Sequence, residues 1–220
     1  MKVLVPLLLR PDGPEAWVKN AEKIKNTLTF ENKDVVIFDE EVPSYQSKFA
    51  AESNARNAVI DKHLKDEHTH VFWIDTDVVE FDAQIIEKLA TLINLERDVV
   101  APYVFLEDND TWPFKRFYDI SCFIDSSGDN FDYKEPYNPW MEVDHRLGTE
   151  QALHPCNCVG TCFLMPASIY KMGVRYDPLD ERNEHIPFFE EVKERGFAVW
   201  ATALVEIRHA FLPKYGINFR

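Results

Sequence analysis

At 220 residues the chain is long enough for one domain with a full core and too short to require two. Hydrophobic residues at 45% and charged residues at 28% lie close to globular averages. The net charge of −14 argues against a polyanionic duplex held by the protein's general field, because such binding relies on Lys and Arg neutralising phosphates.

The first stretch, "MKVLVPLLLRPDG", carries an apolar run too short to span a bilayer, and it lacks the longer apolar region and small-residue cleavage site of a secretory signal. It reads as a first buried strand. "PEAWVKNAEKIKNTL" follows as a helix, with Pro14 and Glu15 suited to its first turn. "DVVIFDE" reads as a second strand, and "SKFAAESNARNAVIDKHLKDE" as a helix that turns Phe49, Ala50, Ile60 and Leu64 toward the core. "HVFWID" is a third strand, "AQIIEKLATLI" a helix capped by Asp82, and "DVVAPYVF" a fourth strand. This alternation predicts a mostly parallel sheet covered by helices on both faces.

From about residue 112 to 157 aromatics mix with Asp, Asn, Pro and Gly without clear periodicity, apart from a possible strand in "FKRFYDISCFI". A strand in "CVGTCFLMP", a short helix near "ASIYKM" and a helix in "IPFFEEVKERG" ended by Gly196 come next. "AVWATALVEIRHA" gives one or two further strands. Three of the four cysteines fall in "HPCNCVGTC" beside His154. Their spacing lacks the paired C-x-x-C of structural zinc, and buried thiols in a reducing compartment are the better reading.

The candidate site lies where the third strand stops. Val71, Phe72, Trp73 and Ile74 read as buried on both faces, and Asp75 and Asp77 follow one residue apart. Two like charges this close repel unless a cation or hydrogen-bond donors hold them. Two aspartates in a solvated turn are the plainer alternative. Ligands of open α/β sheets gather at the carboxyl ends of strands, which is where this pair sits. A hard cation such as Mn²⁺ or Mg²⁺ takes one or two such carboxylates and shares the rest of its shell with phosphate and water.

At these residues the chain resembles the GT-A glycosyltransferases, whose nucleotide-binding half ends a strand in D-x-D. "ESNARNAVIDKHL" looks like the Arg-Asn-bearing helix preceding that strand in several such families, including the mannan-polymerase-type enzymes. "CVGTCFLMPASIYKMG" is similar to the strand and loop flanking the acceptor site, and "NEHIPFFEEVKERGFAVW" to the stretch that usually carries Glu-Asp. The resemblance implies a single GT-A-like, Rossmann-type α/β domain over 1–220, with a nucleotide-binding half to about 105 and an acceptor-binding half beyond.

It also implies roles. Asp77 would bind the divalent metal, Asp75 the nucleotide ribose or the metal through water, and His209 would complete the protein's share of the shell. Arg56, with Asn57 beside it, would lie near the nucleotide or its phosphates; a surface ion pair of Arg56 with Glu52 or Asp61 is the alternative. A strand-end histidine with no ligand role is the alternative for His209. Where inverting members place Glu-Asp this chain has Glu184-His185, so either residue could serve as base, or the reaction retains configuration and needs none there. A polar helix start accounts for both without chemistry. Trp112, Tyr133, Tyr137 and Trp140 could stack on sugar faces or pack in the core.

Two rival readings stand beside this one. "WIDTDVV" also matches the opening of HAD-type phosphohydrolases, with Asp75 as nucleophile, although that motif normally follows the first strand of its domain. A nucleotide-sugar-binding module without catalysis would keep the fold and lack the Glu-Asp. The expectation is a cytoplasmic, Mn²⁺- or Mg²⁺-dependent glycosyltransferase with a nucleotide-sugar donor and a hydroxyl acceptor of open class. Nucleic acid is not expected as a partner, though a modified base as acceptor stays open.

Overall fold

The computed structural model describes residues 1–9, 15–40, 47–107, 123–126, 128 and 153–210. In chain order these form β1 (Val3–Leu8), α1 (Glu15–Thr27), β2 (Lys33–Phe38), α2 (Lys48–His63), β3 (His70–Ile74), β4 (Val78–Glu80), α3 (Ile85–Leu92), β5 (Val99–Leu106) and β6 (Ile124–Asp125). Then follow β7 (Leu153–Cys158), β8 (Cys162–Pro166), α4 (Ser168–Lys171), α5 (His185–Glu194) and β9 (Val199–His209).

Among the described residues one nine-stranded sheet runs β2-β1-β3-β8-β5-β9-β7-β6, with β4 paired to β9 off that path. The pairs β1–β2, β1–β3 and β5–β9 are parallel, as a run of crossover helices dictates. Strands from the second half enter antiparallel, β8 between β3 and β5 and β7 against β9. The result is the expected α/β class with a central sheet flanked by helices. The sheet is mixed, however: antiparallel pairs outnumber the parallel ones expected to dominate, because the strands after β5 insert between and beside the earlier ones.

Alternation along the strands divides the apolar residues between two cores. Val71 and Trp73 of β3 face one side with Val59 and Ile60 of α2 and Phe188, Phe189 and Val192 of α5. Phe72 and Ile74 face the other side with Ala21 and Ile24 of α1 and Ile85, Ile86 and Leu89 of α3. The unbroken apolar run of β3 thus serves two layers at once.

Local chemistry fixes the helix ends. The Ala50 amide donates to the Ser47 hydroxyl at 3.1 Å, which starts α2. Ala50 and Ile60 are buried on it as expected, and Leu64 packs half-buried, but the helix stops at His63, short of the predicted 67. Asp82 does not cap α3 itself: its carboxylate accepts from the Gln84 amide at 2.8 Å and closes the turn leading in. Gly196 takes φ +88 after α5, where its amide donates to the Lys193 carbonyl.

Two differences matter. The single strand expected over 158–166 is two strands, β7 and β8, broken at Gly160–Thr161, where Thr161 adopts φ 47. The residues after Asp77 form β4, a strand that periodicity did not indicate in so short a run. The expected strand over 114–124 falls outside the described residues except for Phe123 and Ile124, and Cys122, Trp112, Tyr133, Tyr137 and Trp140 fall outside them altogether. Among the described residues no helix is long and apolar enough to cross a membrane.

Candidate functional site at the end of the third strand

The chain leaves β3 at Ile74 and turns through Asp75, Thr76 and Asp77 into β4. Several backbone groups of this turn are bonded to other elements. The Asp75 amide donates to the Thr161 carbonyl at 2.9 Å, and the Ala210 amide donates to the Asp77 carbonyl at 2.8 Å. The Asn20 side chain in α1 donates to the carbonyls of both Thr76 and Val78 at 2.7 Å, and the Thr76 hydroxyl donates to the Leu8 carbonyl at 3.0 Å. Contacts from β1, α1, the β7–β8 turn and the end of β9 therefore hold the two aspartates in place. A β-branched residue at positive φ is strained by roughly 1–3 kcal/mol, and Thr161 carries that strain where its carbonyl anchors Asp75.

Antiparallel pairing of β4 with β9 sets Val78 opposite His209 and so brings His209 beside Asp77. His209 Nε2 lies 3.0 Å from Asp77 Oδ1, with the imidazole 1% and the aspartate 21% exposed. Its Nδ1 lies 2.9 Å from the Ala210 carbonyl, which can only accept, so Nδ1 bears a proton. In the neutral ring Nε2 is then a lone pair facing a carboxylate oxygen. Two acceptors at this separation call for a shared proton or a cation between them. A backbone carbonyl fixing the far nitrogen is the usual device that orients a metal-binding histidine. The residues present fit a divalent cation.

Asp75 faces a different neighbour. Its Oδ1 accepts from Arg56 Nη2 at 3.2 Å, while the side chain stays 34% exposed. Arg56 is buried in the middle of the α2 core stripe formed by Ala50, Ser53, Val59 and Ile60. The same Nη2 lies 3.4 Å from His185 Nε2 and 3.6 Å from Glu184 Oε1. Nη2 thus donates to Asp75 and faces His185 and the Glu184 carboxylate, which lies 3.3 Å from the same imidazole nitrogen. The guanidinium carbon sits 4.9 Å from the Trp73 ring centroid and 5.5 Å from that of Tyr176. Such contacts contribute on the order of 2 kcal/mol when desolvated and offset part of the penalty of burying the charge.

These neighbours set the charge states. Burial opposes the Arg56 charge, but Asp75, Tyr176 and Glu184 outweigh it and hold the guanidinium above its ordinary value. Desolvation raises the Asp75 carboxyl, Asp77 adds to the rise and Arg56 pulls against it. Because a third of the Asp75 side chain still meets solvent, water tempers that rise. Burial, and then the Arg56 charge, push His185 well below the usual histidine range, so it is neutral at pH 7. Its ring is walled by Phe163, Tyr176 and Phe189 at centroid distances of 5.8, 5.9 and 6.3 Å.

Several expected site residues therefore meet here in ways the sequence did not specify. Asp75, Asp77 and His209 lie at one turn. Arg56, expected near the nucleotide or its phosphates, is a buried partner of Asp75 rather than one half of a surface ion pair, and Asp61 pairs with Arg175. Asn57, expected near the nucleotide, turns its amide to the Tyr176 backbone, donating to the carbonyl at 2.8 Å and accepting from the amide at 3.0 Å. Glu184 and His185, expected as candidate bases, are 4% and 3% exposed and stand behind Arg56. Among the described residues no three His, Cys, Asp or Glu side chains converge on a metal position. Asp77 and His209 stand as a pair. Sequence reasoning passed over Asn20, Thr76 and Tyr176, although Asn20, like Arg56, is a polar residue inside a buried helical stripe, here with Trp17, Ala21 and Ile24.

A family model, Anp1, matches residues 43–179, more than half of the chain. The chain belongs to the Anp1 family. The Anp1 match includes Arg56, Asn57, Asp75 and Asp77 and ends before Glu184, His185 and His209. Among solved structures, S. aureus TarS (residues 1–349) is similar in fold, with a TM-score of 0.60 at 10% identity over 97% of this chain and 61% of that one. A glycosyltransferase involved in glycosylation of the major capsid of PBCV-1 matches 54% of this chain and 57% of its own at 12% identity. Its TM-score of 0.35 is too low to bear on the fold. The chain spans about six tenths of the length of these two proteins. No curated protein sequence matches it.

Proposed function

We propose that this Anp1-family chain transfers a sugar from a nucleoside-diphosphate donor to a hydroxyl acceptor, and that Asp77 and His209, with Asp75 beside them, hold Mn²⁺ or Mg²⁺ at the donor diphosphate. The observation that carries this reading is the acceptor pair itself: Asp77 Oδ1 and His209 Nε2 at 3.0 Å, with the other imidazole nitrogen tied to a carbonyl. The nitrogen ligand favours Mn²⁺ over Mg²⁺, whose preferred shell is all oxygen. Once bound, the cation supplies Lewis-acid stabilisation of the charge that develops on the departing diphosphate.

The protein's own part is positioning. The Asn20, Thr76 and Thr161 contacts fix the turn before any donor arrives, so the aspartates need little reorganisation on binding. Asp75 holds one oxygen against Arg56 and presents its open side for a ribose hydroxyl or a metal-bound water. Glu184 and His185, shielded by Arg56 and the aromatic wall, support Asp75 in this reading and do not reach the acceptor hydroxyl.

The test is release of nucleoside diphosphate from UDP-, GDP- and CDP-sugars in the presence of Mn²⁺. One donor class is expected to turn over, to stop in EDTA, to resume on adding Mn²⁺, and to be inert with Asp77→Ala. Turnover that EDTA and Asp77→Ala leave intact would refute the metal-binding role.

A further inference from the structure

We infer that Arg56 is a positioning residue for the donor, acting through Asp75, with Glu184 as the buried counter-charge that aims it. This rests on the donor site lying at the Asp75–Asp77 turn.

Three observations carry it. First, Arg56 cannot meet a phosphate directly: it is 4% exposed, and the broad faces of Trp73 and Tyr176 lie against its guanidinium. Nε and Nη1 have no hydrogen-bond partner among the described residues, and both are sealed from solvent. Second, the shortest contact of Nη2 is its hydrogen bond to Asp75 Oδ1 at 3.2 Å, with the Glu184 carboxylate 3.6 Å away as an ion-pair partner and His185 Nε2 at 3.4 Å. Third, Asp75 makes this contact with one oxygen only, and no bond to Oδ2 forms among the described residues.

The consequence is geometric. A lone Asp75 would rotate away from Asp77, because like charges one residue apart repel. Arg56 holds it by one oxygen and leaves the other facing outward. Glu184 keeps the guanidinium from shifting toward the apolar wall, and its own Oε2 stays buried without a partner. A buried charge triad of this kind adds little net stability but fixes one arrangement.

The experiment is a double-mutant cycle on binding. Dissociation constants for UDP and GDP with Mn²⁺ are measured by calorimetry for wild type, Arg56→Met, Asp75→Ala and the double variant. Arg56→Met is expected to weaken binding about tenfold, and to have no further effect in the Asp75→Ala background, because residues acting through one contact are not additive. Losses that multiply in the double variant would overturn the inference and leave the donor site standing. Wild type that binds neither nucleotide would remove the donor site, and the inference with it. Should Arg56→Met fail to melt cooperatively, Glu184→Gln takes its place in the same cycle. A fewfold weakening that vanishes in the Asp75→Ala background supports the inference, and an unchanged or multiplying effect overturns it.

Discussion

His209 Nε2 stands 3.0 Å from Asp77 Oδ1 while Nδ1 of the same ring is bonded to the Ala210 carbonyl. β9 thus returns an imidazole nitrogen to the turn that ends β3. His209→Ala is expected to weaken nucleoside-diphosphate binding in Mn²⁺ by 10- to 100-fold, the range found when a metal site loses its orientation or a ligand. Without Mn²⁺ the variant and wild type should bind alike. Calorimetry under the two conditions makes the comparison.

Asn20 holds two carbonyls of the aspartate turn with one amide. Asn20→Ala leaves both carbonyls without their buried donor, at a cost of about 1–3 kcal/mol in unfolding stability. Nucleotide binding should weaken as well, because the turn loses its tether to α1. Urea denaturation and calorimetry read the two effects separately.

Asn57 provides the contrast. Its amide closes both hydrogen bonds to the Tyr176 backbone. Asn57→Ala should lower stability by a similar amount, about 1–3 kcal/mol, and leave the nucleotide dissociation constant within about twofold of wild type. A selective loss of affinity with stability intact would instead place Asn57 at the nucleotide.

His185 gives the protein a pH dependence. Its folded value is depressed below the unfolded value near 6.5, so the unfolded chain binds the extra proton first. Its stability contribution is complete above about pH 6.5 and is lost as pH falls below it. From pH 7 to 5.5 this group alone should remove about 1 kcal/mol. His185→Gln should lose correspondingly less stability over that interval, compared by urea denaturation at both pH values.

The sheet-and-helix order was readable because its signals are local. The apolar run of β3, the Ser47 cap of α2 and Gly196 after α5 each act within a few residues. The aspartate pair was readable for the same reason: charges at the end of a doubly buried strand require an explanation.

What escaped the sequence depends on contacts distant along the chain. β4 has only three residues and exists because β9 pairs with it. The break at Thr161 requires a positive φ that a β-branched residue rarely signals. Asn20 and Arg56 sit on the buried faces of α1 and α2, and neither their burial nor their partners follow from the residues beside them. The pairing of Glu184 and His185 with Arg56 joins α5 to α2, which no local pattern reveals.

The most direct test of the account is a thermal-shift titration of UDP, GDP and CDP, with and without Mn²⁺, on wild type and Asp77→Ala. The account predicts that one nucleotide raises the wild-type Tm only when Mn²⁺ is present, and that the shift is absent in Asp77→Ala. Equal stabilisation of wild type and variant, or stabilisation that ignores Mn²⁺, would contradict it.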